Sequence, residues 1–335
     1  MALIDIGHVG RIGSGLQRPE CVVTHCSGLV FASDWAGHGG IAAIAPDGAV
    51  ARIGIADPQK ALRPNGIALE PGGSFLVAHL GSDRGGLFRL HPDGHCEVVL
   101  DSVDGTPLPP SNFPLLDAQG RIWLTTSTRV VPRAADYRAD ARSGFVVRID
   151  GSDVRVVADG LGYANELCFS ADGRYAFVNE TFGRRLTRFA VSADGTFSDR
   201  TVIWTFGSGD YPDGLCLDAD GHLWVTSIIS NRVLRIAQDG TGPETVIEDA
   251  DPVHVAEAEK AYRANSMGRP HLDQQPARVL KNISSLAFGG PQLRTAYLGN
   301  LLGDCLMSFE SPHAGARPVH FDFDISPLLD HLDFS

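Results

Sequence analysis

Residues 165–180 read NELCFSADGRYAFVNE: a polar amide, an apolar run, an Ala-Asp-Gly reversal, and a second apolar run. Such a stretch encodes two short antiparallel strands joined by a tight turn, because Asp and Gly supply the backbone geometry that a reversal demands. The same pattern recurs along the chain. ECVVTHCSGLVF from Glu20, NGIALEPGGSFL from Asn65, NFPLLDAQGRIW from Asn112 and DGLCLDADGHLW from Asp213 align with it without gaps, each with a glycine eight residues after the opening polar residue. A sixth copy, SLAFGGPQLRTAYL near Ser284, fits with a small insertion in its turn. The starts are 45, 47, 53, 48 and 71 residues apart, and the last spacing becomes regular once an insertion of about 25 residues is removed.

Each copy continues into two further runs rich in β-branched and aromatic residues, such as RRLTRFAV and TVIWTF after the stretch above. Four strands per unit of this length, repeated six times, predict an all-β six-bladed β-propeller spanning 1–335 as one domain. Residues near Ile4 to Gly10 are expected to supply the outer strand of the last blade and close the ring. A doubly wound α/β fold would need helical patterns between strands, and only DPVHVAEAEKAYRANSMG, residues 251–268, has one. Asp251 and Pro252 suit its N-cap and first position. The surrounding segment, 249–282, reads as a helix-containing insertion between blades five and six. It forms a lid or rim helix, with a homo-oligomer contact as the alternative.

Bulk properties exclude several functions. With 28 Lys and Arg against 40 Asp and Glu the net charge is −12, which repels phosphate backbones and argues against a nucleic-acid partner. No apolar run approaches the length of a membrane span and the N-terminus lacks a basic segment followed by an apolar one, so a cytoplasmic protein is expected. The six cysteines form no C-x-x-C pair, which argues against a thiolate zinc site.

In a propeller the first strand of each blade lines the central channel, and its opening residue points to the axis near one mouth. That position reads Glu20, Asn65, Asn112, Asn165, Asp213 and Ser284 around the ring. Carboxylates and amide oxygens without thiolates suit a hard cation, calcium before other divalent metals. A wet channel lined by polar residues is the simpler alternative for any one of them. Loops at the same mouth supply His79, Arg129, Arg133 and Tyr137 as candidate contacts to a carboxylate or a hydroxyl-rich ring. Glu180, at the end of a second strand, reads as a structural cap.

RPECVV, SNFPLLDAQGRIWLTT, YANELCFSADGRYAFVNET and above all YPDGLCLDADGHLWVT resemble the gluconolactonase and regucalcin (SMP-30/LRE-like) family of six-bladed propellers from about residue 18 to 310. The resemblance implies a divalent metal held by Glu20, Asn165 and Asp213, with Asn112 completing the shell or meeting substrate alongside Asn65, His79, Arg129 and Tyr137. Calcium is the first expectation, with Zn, Mn, Mg or Fe as alternatives. It also implies hydrolysis of a small-molecule sugar lactone, with Asp213 activating water. Phosphotriesterase-like or strictosidine-synthase-like chemistry at the same site, and a non-catalytic calcium-binding propeller, are the competing readings.

Overall fold

A computed structural model describes residues 3–276 and 279–334. Six four-stranded antiparallel sheets follow one another around a ring. Blade one comprises Val22–Thr24, Val30–Asp34, Gly40–Ile44 and Val50–Gly54; blade two comprises Pro64–Leu69, Phe75–His79, Gly86–Leu90 and Cys96–Leu100. Blade three comprises Ser111–Leu116, Ile122–Thr126, Gly144–Asp150 and Asp153–Leu161; blade four comprises Ala164–Phe169, Tyr175–Glu180, Arg185–Val191 and Phe197–Thr205. Blade five holds Asp210–Leu217, Leu223–Ile229, Arg232–Ile236 and Glu244–Glu248. Blade six takes Ile283–Gly289, Thr295–Asn300 and Leu306–Glu310 from the end of the chain and Gly10–Ile12 from its beginning.

The repeated glycine has a conformational cause. Gly28, Gly73, Gly120, Gly173 and Gly221 all have positive φ, at 89°, 83°, 79°, 69° and 81°, in the turn between first and second strands. That region suits glycine because a Cβ would clash there. The turn aspartates add a second constraint. Asp117 accepts the backbone N–H of Gln119 and Arg121 and, on its other oxygen, Trp123 Nε1 at 2.9 Å. Asp218 does the same with the His222 N–H and Trp224 Nε1 at 3.0 Å. DAQGRIW and DADGHLW therefore encode a turn and the anchoring of the tryptophan that follows it.

Second strands are apolar over their middle residues because both faces are covered there. Ala176 and Val178 pack toward blade three with Trp123 and Leu167, while Phe177 faces blade five with Leu215, Leu223 and Val225. This is the continuous run expected of a strand buried on two sides.

Ring closure differs from expectation in its register. The closing strand is Gly10–Ile12, paired antiparallel with Leu306–Ser308, and not the segment from Ile4. Residues Ile6–His8 instead form a 3-10 turn capped by Asp5, and the Ile4 N–H donates to Val246 O of blade five. After Glu310 the tail crosses the mouth that holds the reverse turns. Ala314 O and the Ala316 N–H bond to blade five, Phe321 O and Asp324 O accept from Cys26 and Gly72 of blades one and two, and Leu328 packs into the core beneath Phe31 and Phe75.

At the opposite mouth the long connection between blades five and six carries the helix Pro252–Arg263. Asp251 caps it by accepting the N–H of Val253 and His254, with Pro252 at its first turn. Glu259 on this helix pairs with Arg184 of blade four, and Tyr262 donates to Phe182 O. Ala258, Tyr262, Met267 and Leu272 cover Tyr137, Tyr163, Phe182 and Tyr211. The insertion is thus a lid over blades four and five. No helix among the described residues is long and apolar enough to cross a membrane.

Candidate active site

The axial residues are presented by an irregularity that repeats around the ring. In blades two to six the pairing of first and second strands slips at the axial residue: between Pro64 and Ile67, Ser111 and Phe113, Ala164 and Leu167, Pro212 and Leu215, and Ile283 and Ser285. A bulge re-aims side chains that a regular ladder would send to the neighbouring blades. Close packing of the inner strands follows. A Cβ on Gly214 would lie 2.6 Å from Ser284 O, and one on Gly66 would lie 2.7 Å from Asn112 O.

The structure brings Glu20, Asn165 and Asp213 together. All three are buried, and the Asp213 carboxyl is raised well above its ordinary value by burial and by the charges of Glu20 and Glu166, against the opposing effects of Arg18 and Asn165. Two carboxylates that share a buried site resist joint ionisation. Asn165 Nδ2 donates to Thr181 Oγ1 at 3.0 Å. Asn65 Nδ2 donates to Asn112 O at 3.1 Å, while the Oδ1 atoms of Asn65 and Asn112 are buried without a hydrogen-bond partner. Ser284, uninformative in sequence, donates to Glu20 O at 2.8 Å and so holds the seam between blades six and one.

Two charged groups, Arg18 and Glu166, were not foreseen in these places, and a third, Arg133, was expected as a loop contact. Arg18, in left-handed backbone at φ 54°, donates from Nε to Glu20 Oε2 at 3.0 Å and lies over the Trp35 ring. Glu166 occupies the bulge position that is glycine in blades two and five, and that contrast was the available sequence signal. Burial pushes its carboxyl up to about 8 although the Leu215 N–H and Ser285 favour its charged form. Arg133, on the short turn Arg133–Asp136 of the blade-three loop, reaches the same mouth: burial works against its charge, but Tyr163, Tyr137, Glu20 and Asp213 outweigh it.

Other expected contacts go elsewhere. Arg129 forms an ion pair with Asp159 on the outer strand of blade three, with Nη1 to Oδ1 at 2.7 Å, and covers the Phe145 ring, away from the carboxylates. His79 Nδ1 accepts the Arg63 N–H at 2.9 Å, and burial beside Arg63 lowers its pKa to about 4, so it is neutral and ties the rim. Tyr137 is buried against Phe182, with ring centroids 4.3 Å apart, and forms part of the floor under the lid. Glu180 is structural: it is fully buried and bonded by Arg185, Thr187 and the Gly162 N–H.

Below the polar tier the channel changes character. A cavity of about 510 Å³ is lined by Val22, Ile67, Phe113, Leu167, Leu215 and Leu286, one from each blade, and by tail residues up to His320. Glu166 borders it, whereas Glu20, Asn112, Asn165 and Asp213 do not. Donor chemistry therefore belongs to the upper tier. A second group of donor atoms, Asp218, Asp220 and His313, sits at the reverse turn of blade five, where Arg235 already pairs with both carboxylates.

Residues 111–248, from the first strand of blade three to the end of blade five, match the family described as SMP-30/gluconolactonase/LRE-like region. The match spans blades three to five and leaves the other three blades outside it. Among curated relatives it is 30% identical to a 6-deoxy-6-sulfogluconolactonase of Pseudomonas putida over 172 residues, covering 50% of this chain and 55% of the relative. It is 25% identical to the pentonolactonase XacC of Haloferax volcanii over 244 residues, covering 71% and 67%. The chain spans about half the length of most of the curated relatives it matches. Fold likeness is broader. A gluconolactonase structure from Xanthomonas campestris superposes with TM-score 0.67 at 21% identity over 91% of this chain and 89% of that one. The calcium-binding regucalcin of Agrobacterium tumefaciens superposes with TM-score 0.66 at 17% identity, over 94% and 97%.

Proposed function

We propose that the protein hydrolyses a small sugar-acid lactone at the tier formed by Glu20, Asn112, Asn165 and Asp213. The observation that carries the reading is the convergence of two buried carboxylates and amide oxygens, without lysine or thiolate, in a chain with an SMP-30/gluconolactonase/LRE-like region. The lactonase names of its relatives support the same reaction class.

The donor set fits a hard divalent cation. The buried Asn112 Oδ1 lacks a partner, and the penalty that Glu20 imposes on Asp213 is the kind that a bound cation removes. Glu20, Asn165 and Asp213, with Asn112, would hold the ion, and their all-oxygen chemistry favours calcium over zinc, manganese, magnesium or iron. When bound, such an ion polarises a carbonyl and stabilises the charge that develops on its oxygen.

The chain's own groups do the rest. Asp213 accepts the proton of the attacking water, while Glu20 and Asn165 fix its position. The unpaired amide oxygens of Asn65 and Asn112 accept hydroxyl protons of the substrate and orient its ring. The lid limits bulk water above them. A different reaction at the same tier is the second reading, supported by 27% identity over 177 residues to the Arabidopsis thaliana protein STRICTOSIDINE SYNTHASE-LIKE 4.

Metal-stripped protein assayed with a pH indicator against five- and six-carbon sugar lactones, with each metal returned singly, tests the proposal. Metal-dependent acid release that Asp213→Asn abolishes while the variant stays folded is the expected result. Undiminished hydrolysis by that variant removes Asp213 as the base, and equal metal affinity of Glu20→Gln and the parent in titration removes Glu20 as a ligand. Silence across the panel in protein that binds metal transfers the case to the second reading.

A further inference from the structure

Two arginines and one tryptophan meet on the rim between blades one and two. Trp35 follows the second strand of blade one and is pinned at both ends. Its backbone N–H donates to Gln17 O at 2.8 Å, beside Arg18, and its indole Nε1 donates to Pro64 O at 2.7 Å, beside Arg63. Both guanidiniums lie over its ring, each 4.9 Å from the centroid. Stacking engages the face of a guanidinium and leaves its N–H edge free to bind. The backbone of Arg63 is fixed as well, since its N–H donates to His79 Nδ1 at 2.9 Å and its O accepts the Leu80 N–H at 2.9 Å.

Few acceptors meet these edges. The Arg18 side chain is only 10% exposed, yet its one hydrogen bond among the described residues runs from Nε to Glu20 Oε2 at 3.0 Å. Arg63 is exposed, and no carboxylate among the described residues pairs with it. Asp34, next to Trp35, is already taken by Arg52 and by the N–H groups of Gln17 and Ala36. Arg18 also holds left-handed backbone at φ 54°, a costly conformation of the kind that clusters at ligand sites. Toward the axis, the carboxylates of Glu20, Asp213 and Glu166 oppose an anion, whereas the rim sets two guanidiniums against Glu20 alone.

We propose that the N–H edges of Arg18 and Arg63, held over Trp35, form a rim subsite for an oxyanion carried by the sugar, so that a ligand with a phosphate or a second carboxylate is preferred to one without. Planar forks bind an oxyanion through paired N–H groups, which an ammonium does not match. The subsite adjoins the tier, because Arg18 holds Glu20 directly and Arg63 stands two residues before Asn65, whose Oδ1 is unpaired. A sugar seated on the amide oxygens thus turns one end to the rim. The sugar part of the inference rests on the lactonase reading, but the subsite itself is measurable by binding without turnover.

The test is calorimetric titration with 6-phospho-D-gluconate, D-gluconate and inorganic phosphate, in calcium and in chelator. Hydrolysis of D-glucono-1,5-lactone and of its 6-phosphate is followed in parallel. Wild-type protein should bind the phosphorylated acid about tenfold or more tightly than gluconate, the worth of one charge-assisted contact, and Arg63→Gln should lose that preference. Trp35→Leu should lose most of it although both arginines remain, which separates the stacked geometry from charge alone. If either variant does not fold, Arg63→Lys decides: it should keep only part of the preference, and an undiminished one overturns the proposal. Equal binding of the two acids by the wild type in both buffers, binding of neither, or a preference undiminished in Arg63→Gln or Trp35→Leu also overturns it. Inorganic phosphate that binds as tightly as the phosphorylated acid marks an isolated anion site and overturns it too. Hydrolysis of neither lactone, with a preference that depends on Arg63, sinks the lactonase reading and leaves the subsite standing. Hydrolysis with equal binding does the reverse.

Discussion

Replacing Glu259 by glutamine should unclasp the lid. This carboxylate is the hinge pin between the helix Pro252–Arg263 and blade four: it accepts from Arg184, from Arg263 Nε at 2.7 Å and from the Gly209 N–H at 3.2 Å. The Arg184 guanidinium is held between the Tyr211 and Tyr262 rings, 4.2 and 4.0 Å from their centroids. Burial alone would raise the Glu259 carboxyl, but the two arginines overcome it and pull the pKa from 4.5 down to about 2. At about 1.4 kcal/mol per pKa unit, that places the clasp at about 3 kcal/mol. Loss of one partner from a buried pair gives a similar figure, about 3 kcal/mol or more. Because the lowered value belongs to the folded state, this contribution is complete above the ordinary carboxylate range and is lost as pH falls toward about 2. Amide hydrogen exchange at neutral pH is the assay. Lid opening in Glu259→Gln should rise on the order of a hundredfold across residues 252–263, with blade strands unchanged, and the wild type should approach the variant at low pH. Identical exchange in the helix of the two proteins at neutral pH would refute the assignment of the clasp to this carboxylate.

Two further outcomes follow from the scaffold. Glu180→Gln breaks a fully buried group bonded by Arg185, Thr187 and the Gly162 N–H, and should cost about 3–5 kcal/mol in urea unfolding. Burial opposes ionisation there but those partners hold the carboxyl below its ordinary value, so the wild type should lose this stability as pH drops below about 4.3. Gly214→Ala places a methyl 2.6 Å from the backbone of Ser284 and Ser285 and should destabilise by about 1–3 kcal/mol or more, with loss of metal affinity if the axial tier shifts. Equal unfolding midpoints for variant and parent would contradict either account.

The blades were legible because the turns of blades one to five carry a glycine at positive φ and, in blades three and five, an aspartate that binds both the backbone and the tryptophan that follows. The axial residues followed from that register. The closing strand did not, since three residues, Gly-Arg-Ile, carry too little pattern to mark a strand. Loop side chains were harder still. Arg129 and Arg133 stand four apart in one loop, yet Arg129 turns outward to Asp159 while Arg133 turns to the axis, and only tertiary placement of an exposed carboxylate decides between those directions. Glu166 was overlooked because an acidic side chain after an asparagine looks like surface polarity until Gly66 and Gly214 show how crowded that position is.

The joining of the first strand to the last blade has a consequence for the order of synthesis. Residues 10–12 are made before the first blade, whereas their partners, residues 306–308, are made after five blades, and the tail that straps blade five to blades one and two comes later still. Five blades can form while the chain is being made, but residues 10–12 must wait unpaired until residues 306–308 have been made. Ring closure therefore depends on residues 306–308: a chain that stops before them keeps a loose leading strand and an open seam between blades six and one. Ser284 and Glu20 meet across that seam, so the axial tier is complete only once the ring has closed.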